Sequence, residues 1–137
     1  MNTILLDTCA AIYIMENEQM RQAAVDAIDG AFDRGQNVFV SPITAWEVGL
    51  LSSKGRFKSS YSAKRWTELL LALPQIMLAE LPPRVLLESS FLPGDIHRDP
   101  ADRIIAATAR EYGFTVVTRD RALLAYAKEG HLSAIEC

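Results

Sequence analysis

The stretch that decides the fold is HRDPADRIIAATA, residues 97–109. Asp99 suits the N-cap of a helix there, and Pro100 suits the first helical position, where no backbone donor is needed. Asp102 then falls in the first turn of that helix, beside Asp99 on its surface. A second stretch, FTVVTRD at residues 114–120, is a short β-branched run that ends in charge, as a buried strand does. Acidic groups therefore lie at a helix start and at a strand end, and ligands of open α/β sheets bind at strand ends.

The composition is that of a globular chain, expected to form one domain over residues 1–137. Half of the residues are hydrophobic and 23% are charged, which excludes a disordered chain. The formal net charge is −3, so the chain as a whole does not attract nucleic acid. Any contact with nucleic acid therefore needs a local basic patch.

Cysteine usage and hydropathy predict the compartment. Cys9 and Cys137 are distant thiols outside any CxxC pair, and they make a poor disulfide framework. The N-terminal segment lacks the basic flank and the long apolar run of a signal peptide. The most apolar tract, from Leu69 to Leu81, is broken by Pro74 and is too short to span a bilayer. The sequence therefore predicts a cytoplasmic protein with reduced thiols and no membrane partner.

Five apolar runs are predicted as strands that alternate with helices. The strands are Thr3–Leu6, Val38–Val40, Ile76–Ala79, a run from Thr115 to Thr118 and, as the weakest, Leu132–Ile135. The helices run through Ala10–Ile14, from about Glu18 to Arg34, from Pro42 to Leu51, from about Ser62 to Leu73, from Pro83 through Leu87, from Pro100, and from Arg121 to Lys128. This alternation indicates a mainly parallel sheet with helices on both faces.

Four carboxylates are candidate site residues: Asp7, Glu47, Asp102 and Asp120. Asp7 and Asp120 follow predicted parallel strands, so both are expected at the carboxyl edge of the sheet. The helix that begins at Pro100 leads into the strand before Asp120. With a right-handed connection, the start of such a helix is expected near the opposite edge unless the preceding segment crosses over. The meeting of Asp102 with Asp7 is therefore a hypothesis.

If these carboxylates meet, their chemistry indicates a divalent cation. Like charges raise one another's pKa and destabilise the fold unless a cation lies among them. Oxygen ligands select hard ions, and Mg²⁺ takes one or two carboxylates while sharing the rest of its shell with water and phosphate oxygens. Such a cluster can hold one or two ions that activate a water and stabilise the leaving oxygen in phosphodiester hydrolysis. No set of histidines or cysteines in the sequence has zinc spacing.

Each aspartate also has a purely structural interpretation. Asp7 and Asp120 precede helices and suit N-caps. Asp99 and Asp102 suit a cap and a partner of the helix dipole. The joint pattern, and no single position, favours a site.

The other candidates also have two interpretations. Glu47 lies inside an apolar helix and suits either a solvated face or a site, since buried Glu is rare without a partner. Thr118 suits either a hydroxyl near a metal or an ordinary strand residue. His97 is interpreted as a loop residue rather than a base.

A basic run without acidic residues follows the helix of Glu47. Its cations are Lys54, Arg56, Lys58, Lys64 and Arg65, with Phe57, Tyr61 and Trp66 interleaved. Such a run suits a solvated surface, and it also suits a site for a phosphate backbone and stacked bases. The first three cations are the candidate RNA-binding residues.

Five motifs in chain order carry a resemblance to a known family. They are Leu5-Leu6-Asp7-Thr8, SPITAWEV at residues 41–48, Lys54-Gly55-Arg56-Phe57, the stretch at residues 97–109, and Val117-Thr118-Arg119-Asp120. Together they resemble PIN-domain toxins of the VapC type, which belong to type II toxin–antitoxin systems. The resemblance covers nearly the whole chain, and its specific part is the Asp-Pro-Ala-Asp-Arg stretch followed by Val-Thr-Arg-Asp.

The resemblance implies a compact three-layer α/β/α sandwich whose acidic residues share one pocket. It implies a Mg²⁺- or Mn²⁺-dependent ribonuclease, a hydrolase that cleaves RNA, is neutralised by a cognate antitoxin and typically forms a homodimer. The family's catalytic quartet matches Asp7, Glu47, Asp102 and Asp120. By this resemblance Asp7 and Asp102 are the first choice as metal ligands, while Asp120 and Glu47 complete the site directly or through water. Two recurrent neighbours of second rank match Asp99 and Thr118.

Two other classes share parts of the pattern. A receiver-like phosphoacceptor domain has a similar sheet, but Asp7 has no acidic neighbour in sequence and no Lys ends the late strand. A non-catalytic module that binds RNA or a partner helix is the second alternative. Metal-dependent cleavage of RNA separates a nuclease from both.

Overall fold

The computed structural model describes residues 3–137, which form a five-stranded sheet between two layers of helices. Met1 and Asn2, which begin the segment without a predicted signal peptide, lie outside the described residues. The strands are β1 (Ile4–Leu6), β2 (Val38–Val40), β3 (Ile76–Leu78), β4 (Thr115–Thr118) and β5 (Ser133–Glu136). The helices are α1 (Thr8–Met15), α2 (Gln22–Asp33), α3 (Pro42–Ser53), α4 (Ala63–Ala72), α5 (Pro83–Glu88), α6 (Pro100–Tyr112) and α7 (Arg121–Lys128).

The sheet has the strand order β3-β2-β1-β4-β5, and every neighbouring pair is parallel. β1 is central, with Leu5 in register with Phe39 of β2 and Val116 of β4. All three residues of β1 are buried, as its unbroken apolar run predicts. The parallel sheet is confirmed, and all five strands end at one edge.

The hydrophobic core lies on both faces of the sheet because strand side chains alternate. Leu6 joins the cluster under α1, α2 and α4, where Trp66 is fully buried. Leu5 joins the cluster under α6 and α7, where Ile105 and Tyr126 are fully buried. Each such large apolar side chain contributes about 2 kcal/mol through its burial. The predicted three-layer α/β/α sandwich is confirmed.

Caps fix the helix ends at the positions that the sequence predicts. The Ser41 hydroxyl accepts a hydrogen bond from the Ile43 N–H at 3.1 Å, and Pro42 occupies the first turn of α3. Gly113 ends α6 in the left-handed conformation with φ 68°, which glycine adopts without strain. The chain then enters β4.

α2 begins at Gln22, four residues later than the predicted start at about Glu18. Asn17 has a φ of 54° in the turn after α1, and the Glu18 N–H donates back to Tyr13 O at 2.9 Å. The residues just after α1 therefore form its C-terminal turn and do not belong to the first turn of α2.

The start of α6 lies at the carboxyl edge of the sheet, so the expectation that it lies near the opposite edge is wrong. Asp102 in the first turn of α6 and Asp120 just after β4 both contact His97 Nε2, at 3.0 and 3.4 Å. α6 leads directly into β4 and packs back against it, so it begins where β4 ends.

Among residues 3–137, no helix has the length and hydrophobicity needed to cross a lipid bilayer.

Candidate functional site

Asp7 and Thr118 form what we call the site floor, at the ends of the two central strands. The Thr118 hydroxyl donates to Asp7 Oδ2 at 2.5 Å, and both residues are buried. Asp7 Oδ1 accepts the Ala10 N–H at 2.8 Å and so caps α1. Thr118 Oγ1 also accepts the Asp120 N–H at 2.9 Å. Asp7 is therefore an N-cap and a site carboxylate at once, so its two sequence interpretations are compatible.

His97, Asp102 and Asp120 form what we call the site rim. One ligand atom from each of them lies within 4.8 Å of the other two. Asp120 Oδ2 caps α7 by accepting the Leu123 N–H at 2.9 Å. Asp102 stands in the first turn of α6 with its side chain 15% exposed. The rim thus joins a helix start, a strand end and the loop before α6.

His97 turns Nε2 toward two carboxylates and Nδ1 toward the cap of α6. Its Nδ1 accepts the Asp99 N–H at 3.2 Å, and a ring nitrogen that accepts a hydrogen bond carries no hydrogen. Nε2 therefore carries the hydrogen on the side of Asp102 and Asp120, although it is not aligned for a hydrogen bond to either. In this tautomer Nε2 turns its N–H toward the carboxylates and offers no lone pair on that side.

Arg103 holds the loop that carries His97. Its Nε donates to Ser89 O at 2.8 Å, and its Nη1 donates to Ile96 O at 3.2 Å and to His97 O at 3.4 Å. Asp99 caps α6 by accepting the Ala101 N–H at 3.0 Å. The loop and the first turn of α6 are therefore tied together, which fixes the site rim.

Glu47 reaches the same site from α3. Its Oε1 accepts the Thr8 hydroxyl at 2.5 Å, and Thr8 Oγ1 lies 3.0 Å from Thr44 Oγ1. The two threonines are buried, and Glu47 is half-buried. Glu47 therefore has a fixed partner and does not belong to a solvated helix face.

Burial raises the pKa of the carboxylates that are held by hydroxyl groups. The pKa of Asp7 is raised to about 6 by its burial, although the Thr118 hydroxyl and the Ala10 N–H stabilise its charged form. The pKa of Glu47 is also raised by burial, against the hydrogen bond from Thr8.

The pKa of Asp102 is raised further, to about 8, first by burial. The like charges of four neighbouring acids add to this rise: Asp120, Asp99, Glu47 and Asp7. Asp102 thus interacts with every carboxylate that the sequence proposes for the site. The structure therefore brings together Asp7, Glu47, Asp99, Asp102, Thr118 and Asp120.

These residues fit a divalent cation. The donor set consists of carboxylate and hydroxyl oxygens, because the hydrogen on His97 Nε2 leaves no free nitrogen facing them. Their mutual repulsion is the condition that a cation relieves, since an opposite charge favours the ionised form of each acid. Asp102 and Asp120 each offer a carboxylate oxygen within 4.8 Å of the other, a spacing at which one hard ion can bind both.

Part of the basic run lies beside this cluster. Lys54 and Arg56 line a cleft of about 400 Å³ together with Glu47, Asp99 and the half-exposed Trp46. Lys58 is exposed but does not line the cleft, so its contact with RNA stays a prediction.

The idea that Trp66 and Phe57 stack on bases is wrong. Trp66 is fully buried and anchors α4 to the sheet, and Phe57 packs edge-on against it with ring centroids 5.6 Å apart. Only Tyr61, with 45% of its surface exposed, keeps a free face. The sequence of a basic run does not indicate whether an aromatic residue within it faces the core or the solvent.

The site residue that the sequence interpretation missed is His97. It was assigned to a loop, which is correct, but that loop is folded onto the carboxylates. Its position five residues before Asp102, just ahead of the cap of α6, is the signal that places it at this helix start.

The fold and the site define a parallel α/β protein with a cluster of carboxylates at the carboxyl edge of its sheet. The model of the PIN domain family matches residues 4–129, and the chain belongs to that family. The predicted resemblance is thereby confirmed.

The chain is 32% identical to Ribonuclease VapC22 of Mycobacterium tuberculosis (strain ATCC 25618 / H37Rv) over 124 residues, which cover 90% of this chain and 91% of the relative. Two solved structures show the same fold. VapBC2 from Rickettsia felis, bound to a DNA fragment from their promoter, matches with a TM-score of 0.68, 15% identity and 98% coverage of each chain. DNA-bound VapBC from Salmonella typhimurium matches with a TM-score of 0.67, 17% identity and coverage of 99% of this chain and 98% of the other.

Proposed function

We propose that this protein is a Mg²⁺-dependent endoribonuclease and the toxin of a type II toxin–antitoxin pair. The observation that carries the proposal is the convergence of Asp7, Asp102 and Asp120 with Glu47, where burial and then like charges raise the pKa of Asp102 to about 8. Similarity to a VapC ribonuclease over 90% of the chain supports the reaction class. Membership of the PIN family counts against the receiver-like alternative.

Each side chain has a proposed role in hydrolysis of the phosphodiester bond. Asp7, Asp102 and Asp120 would hold Mg²⁺, and the same oxygen donors would accept Mn²⁺ in its place. When bound, the ion supplies Lewis acidity at the phosphate and lowers the pKa of a water. Glu47 is held at Oε1 by Thr8, which leaves Oε2 to orient the attacking water.

The remaining residues position these groups. Thr118 fixes the rotamer of Asp7, and Asp99 fixes the first turn of α6, on which Asp102 stands. Lys54 and Arg56 hold a phosphate of the RNA strand beside Glu47. The attacking water gives up a proton as its oxygen forms a bond to phosphorus, the bond from phosphorus to the leaving oxygen breaks, and the leaving oxygen takes up a proton, so that one water is consumed overall.

The first experiment measures RNA cleavage by the purified protein in Mg²⁺. Asp7→Asn and Asp102→Asn are expected to lower kcat by at least about 100-fold, equivalent to about 2.7 kcal/mol of transition-state stabilisation, and EDTA is expected to abolish cleavage. Asp33→Asn is the matched control, because Asp33 is exposed at the end of α2, far from the carboxyl edge. All variants are purified in parallel to detect contaminating nucleases.

Two results would count against the nuclease. Cleavage at the parent rate by Asp7→Asn and Asp102→Asn would remove the proposed site. Binding of RNA without cleavage in Mg²⁺ would favour the non-catalytic RNA-binding module instead.

The proposed partners are a cognate antitoxin, RNA and a second copy of this chain, and the proposed compartment is the cytoplasm. The solved VapBC structures of the same fold support an antitoxin partner. The test is growth of cells on induction of the chain. Growth is expected to stop with the parent chain, to continue with Asp7→Asn, and to recover when a cognate antitoxin is co-expressed.

A further inference from the structure

A basic groove lies along α7, outside the carboxylate cluster. We call it the α7 groove; it has a volume of about 560 Å³ and is lined by Arg21, Arg119, Arg121, Lys128 and Glu136, with apolar residues between them. Four basic side chains thus face one acidic side chain in a protein whose net charge is −3. This concentration of cations is a local basic patch of the kind that an acidic protein needs to bind nucleic acid.

Helical geometry and two contacts build the α7 groove. Arg121, Leu124 and Lys128 stand three and four residues apart, so they share one face of α7. The Arg119 guanidinium lies 4.4 Å from the centroid of the Tyr13 ring and donates to the Tyr13 hydroxyl at 2.6 Å. Arg119 is therefore held in place before any ligand arrives, which lowers the entropic cost of binding.

The cations of the α7 groove differ in their availability. Arg21 is paired with Glu136 at 2.8 Å. In the part of the chain that the structure describes, Arg121 and Lys128 make no ion pair. Neither of these two cations is engaged in a salt bridge among the described residues, so both are available to bind an anion.

The α7 groove and the Lys54 cleft flank the carboxylates on two sides. Asp120 lies between Arg119 and Arg121 in the chain, so the groove begins where the site rim ends. α7 leads into β5 on one side of the central pair of strands, and α3, which precedes Lys54, follows β2 on the other side. A nucleic-acid strand that places one phosphate at the carboxylates therefore meets a basic surface on each side of that phosphate.

We infer that the α7 groove binds the phosphate backbone of the RNA strand on the Asp120 side of the cleavage site, with Arg121 and Lys128 as the binding residues. This inference rests on the proposed function, because it extends the path of the same substrate. Continuity with Asp120 favours RNA over an acidic segment of a partner protein. Contacts to phosphates carry no sequence information, so the groove supplies affinity and register and leaves the choice of target to other surfaces.

The binding test uses a fluorescent oligouridine of about 12 nucleotides, which is unstructured and within the usual range of single-strand sites. Binding is measured in Mg²⁺ in the Asp7→Asn background, which leaves the RNA uncut. Arg121→Ala with Lys128→Ala is expected to raise Kd at least about 10-fold and to reduce the slope of log K against log salt by about 1.4, at about 0.7 for each lost phosphate contact. Arg34→Ala, an exposed cation at the end of α2, is expected to change neither value.

A charge-preserving exchange, Arg121→Lys with Lys128→Arg, separates charge from folding and is expected to keep Kd within about 2-fold. In the protein that retains Asp7, the double alanine variant is expected to raise KM for RNA cleavage and to leave kcat unchanged, because the α7 groove does not touch the reacting phosphate.

The results distinguish failure of the inference from failure of the proposed function. An unchanged Kd and an unchanged salt slope would overturn the inference even if the parent protein cleaves RNA. Absence of cleavage by the parent protein would overturn the proposed function, while the binding arm would still decide the groove. Normal RNA binding together with loss of antitoxin binding would assign the groove to the partner protein and overturn the inference.

Discussion

The site floor and the site rim both raise the pKa of an aspartate, but they differ in what compensates its charge. In the floor, Asp7 is buried and receives hydrogen bonds from the Thr118 hydroxyl and the Ala10 N–H, so its pKa is raised only to about 6. In the rim, Asp102 has no comparable pair of donors, and its pKa is raised to about 8, first by burial and then by the like charges of the neighbouring acids. The charge of Asp7 in the site floor is therefore stabilised by hydrogen bonds within the fold, whereas the charge of Asp102 in the site rim needs a cation for its stabilisation.

Asp7 of the site floor and Asp102 of the site rim also differ in what they contribute to the fold. Asp7 caps α1 and bonds to β4, so it contributes to the fold as well as to the site. Asp102 makes only a poorly aligned contact with His97 among the described residues and serves no cap. The placement of this carboxylate beside four other acids, with its pKa raised first by burial, is typical of a functional site.

The largest expected effect is on stability against pH in the absence of a divalent cation. The folded-state pKa values of Asp7 (about 6) and Asp102 (about 8) lie above the ordinary value of 3.8 that the unfolded chain has. The folded state therefore binds more protons than the unfolded state between these values, and its stability falls as pH rises through them. We expect the free energy of unfolding to fall by roughly 5 to 6 kcal/mol from about pH 5 to about pH 9, because each pH unit over which only the folded state keeps a proton contributes about 1.4 kcal/mol, and Asp102 does so over about three units and Asp7 over about one.

Urea unfolding at several pH values in EDTA measures this loss, and addition of Mg²⁺ at about pH 9 is expected to restore most of it. A stability that is flat over this range in EDTA would contradict the charge crowding described for the site rim.

The second effect compares the two aspartates directly. Asp102→Asn removes a charge that burial and four neighbouring acids disfavour, so it is expected to raise the free energy of unfolding on the order of 3 kcal/mol at about pH 8 in EDTA. Asp7→Asn is expected to raise it less, on the order of 1 kcal/mol, because the Thr118 hydroxyl loses its charged acceptor. Urea unfolding of both variants checks the order. An equal gain from the two would remove the distinction between floor and rim.

The third effect concerns the hydroxyl of the site floor. Thr118→Val leaves Asp7 Oδ2 without its donor and the Asp120 N–H without its acceptor, both in a buried place. We expect a loss of about 2 kcal/mol in the free energy of unfolding and a loss of roughly 10- to 100-fold in cleavage. Thr118→Ser keeps the hydroxyl and is expected to keep most of both. If the valine variant cleaves RNA like the parent, Thr118 has no positioning role.

The smallest effect concerns His97 in the site rim. His97→Ala removes the N–H that faces Asp102 and Asp120, and cleavage is expected to fall about 10-fold, equivalent to about 1.4 kcal/mol. His97→Gln restores an N–H donor and is expected to recover part of the loss. Steady-state kinetics on RNA measures both variants, and an alanine variant that outperforms the glutamine variant would argue against a donor role.

Most of the fold was predictable because its signals are local. The apolar runs of the five strands, the caps at Ser41 and Asp99 and the glycine at position 113 each act within a few residues. The predicted start of α2 was wrong because a tertiary tie, the bond from the Arg21 N–H to Cys137 O at 3.3 Å, helps to set where the helix begins.

The candidate carboxylates were also predictable, because the sequence gives their residue type directly and their positions follow from the predicted strand ends and helix starts. His97 and the burial of Trp66 were not predictable, because both depend on how distant segments fold onto each other. The sequence does not distinguish a loop histidine that faces a site from one that faces solvent.

By itself, the sequence determined the parallel α/β architecture and the set of acids, since hydrophobic period, capping and turn chemistry are short-range properties of the chain. Only the tertiary structure decided that α6 begins at the carboxyl edge, that Asp102 meets the other acids, and that two basic surfaces flank them. The physical reason is range: electrostatic repulsion and burial depend on distances between residues that are far apart in sequence, and those distances exist only once the sheet has assembled.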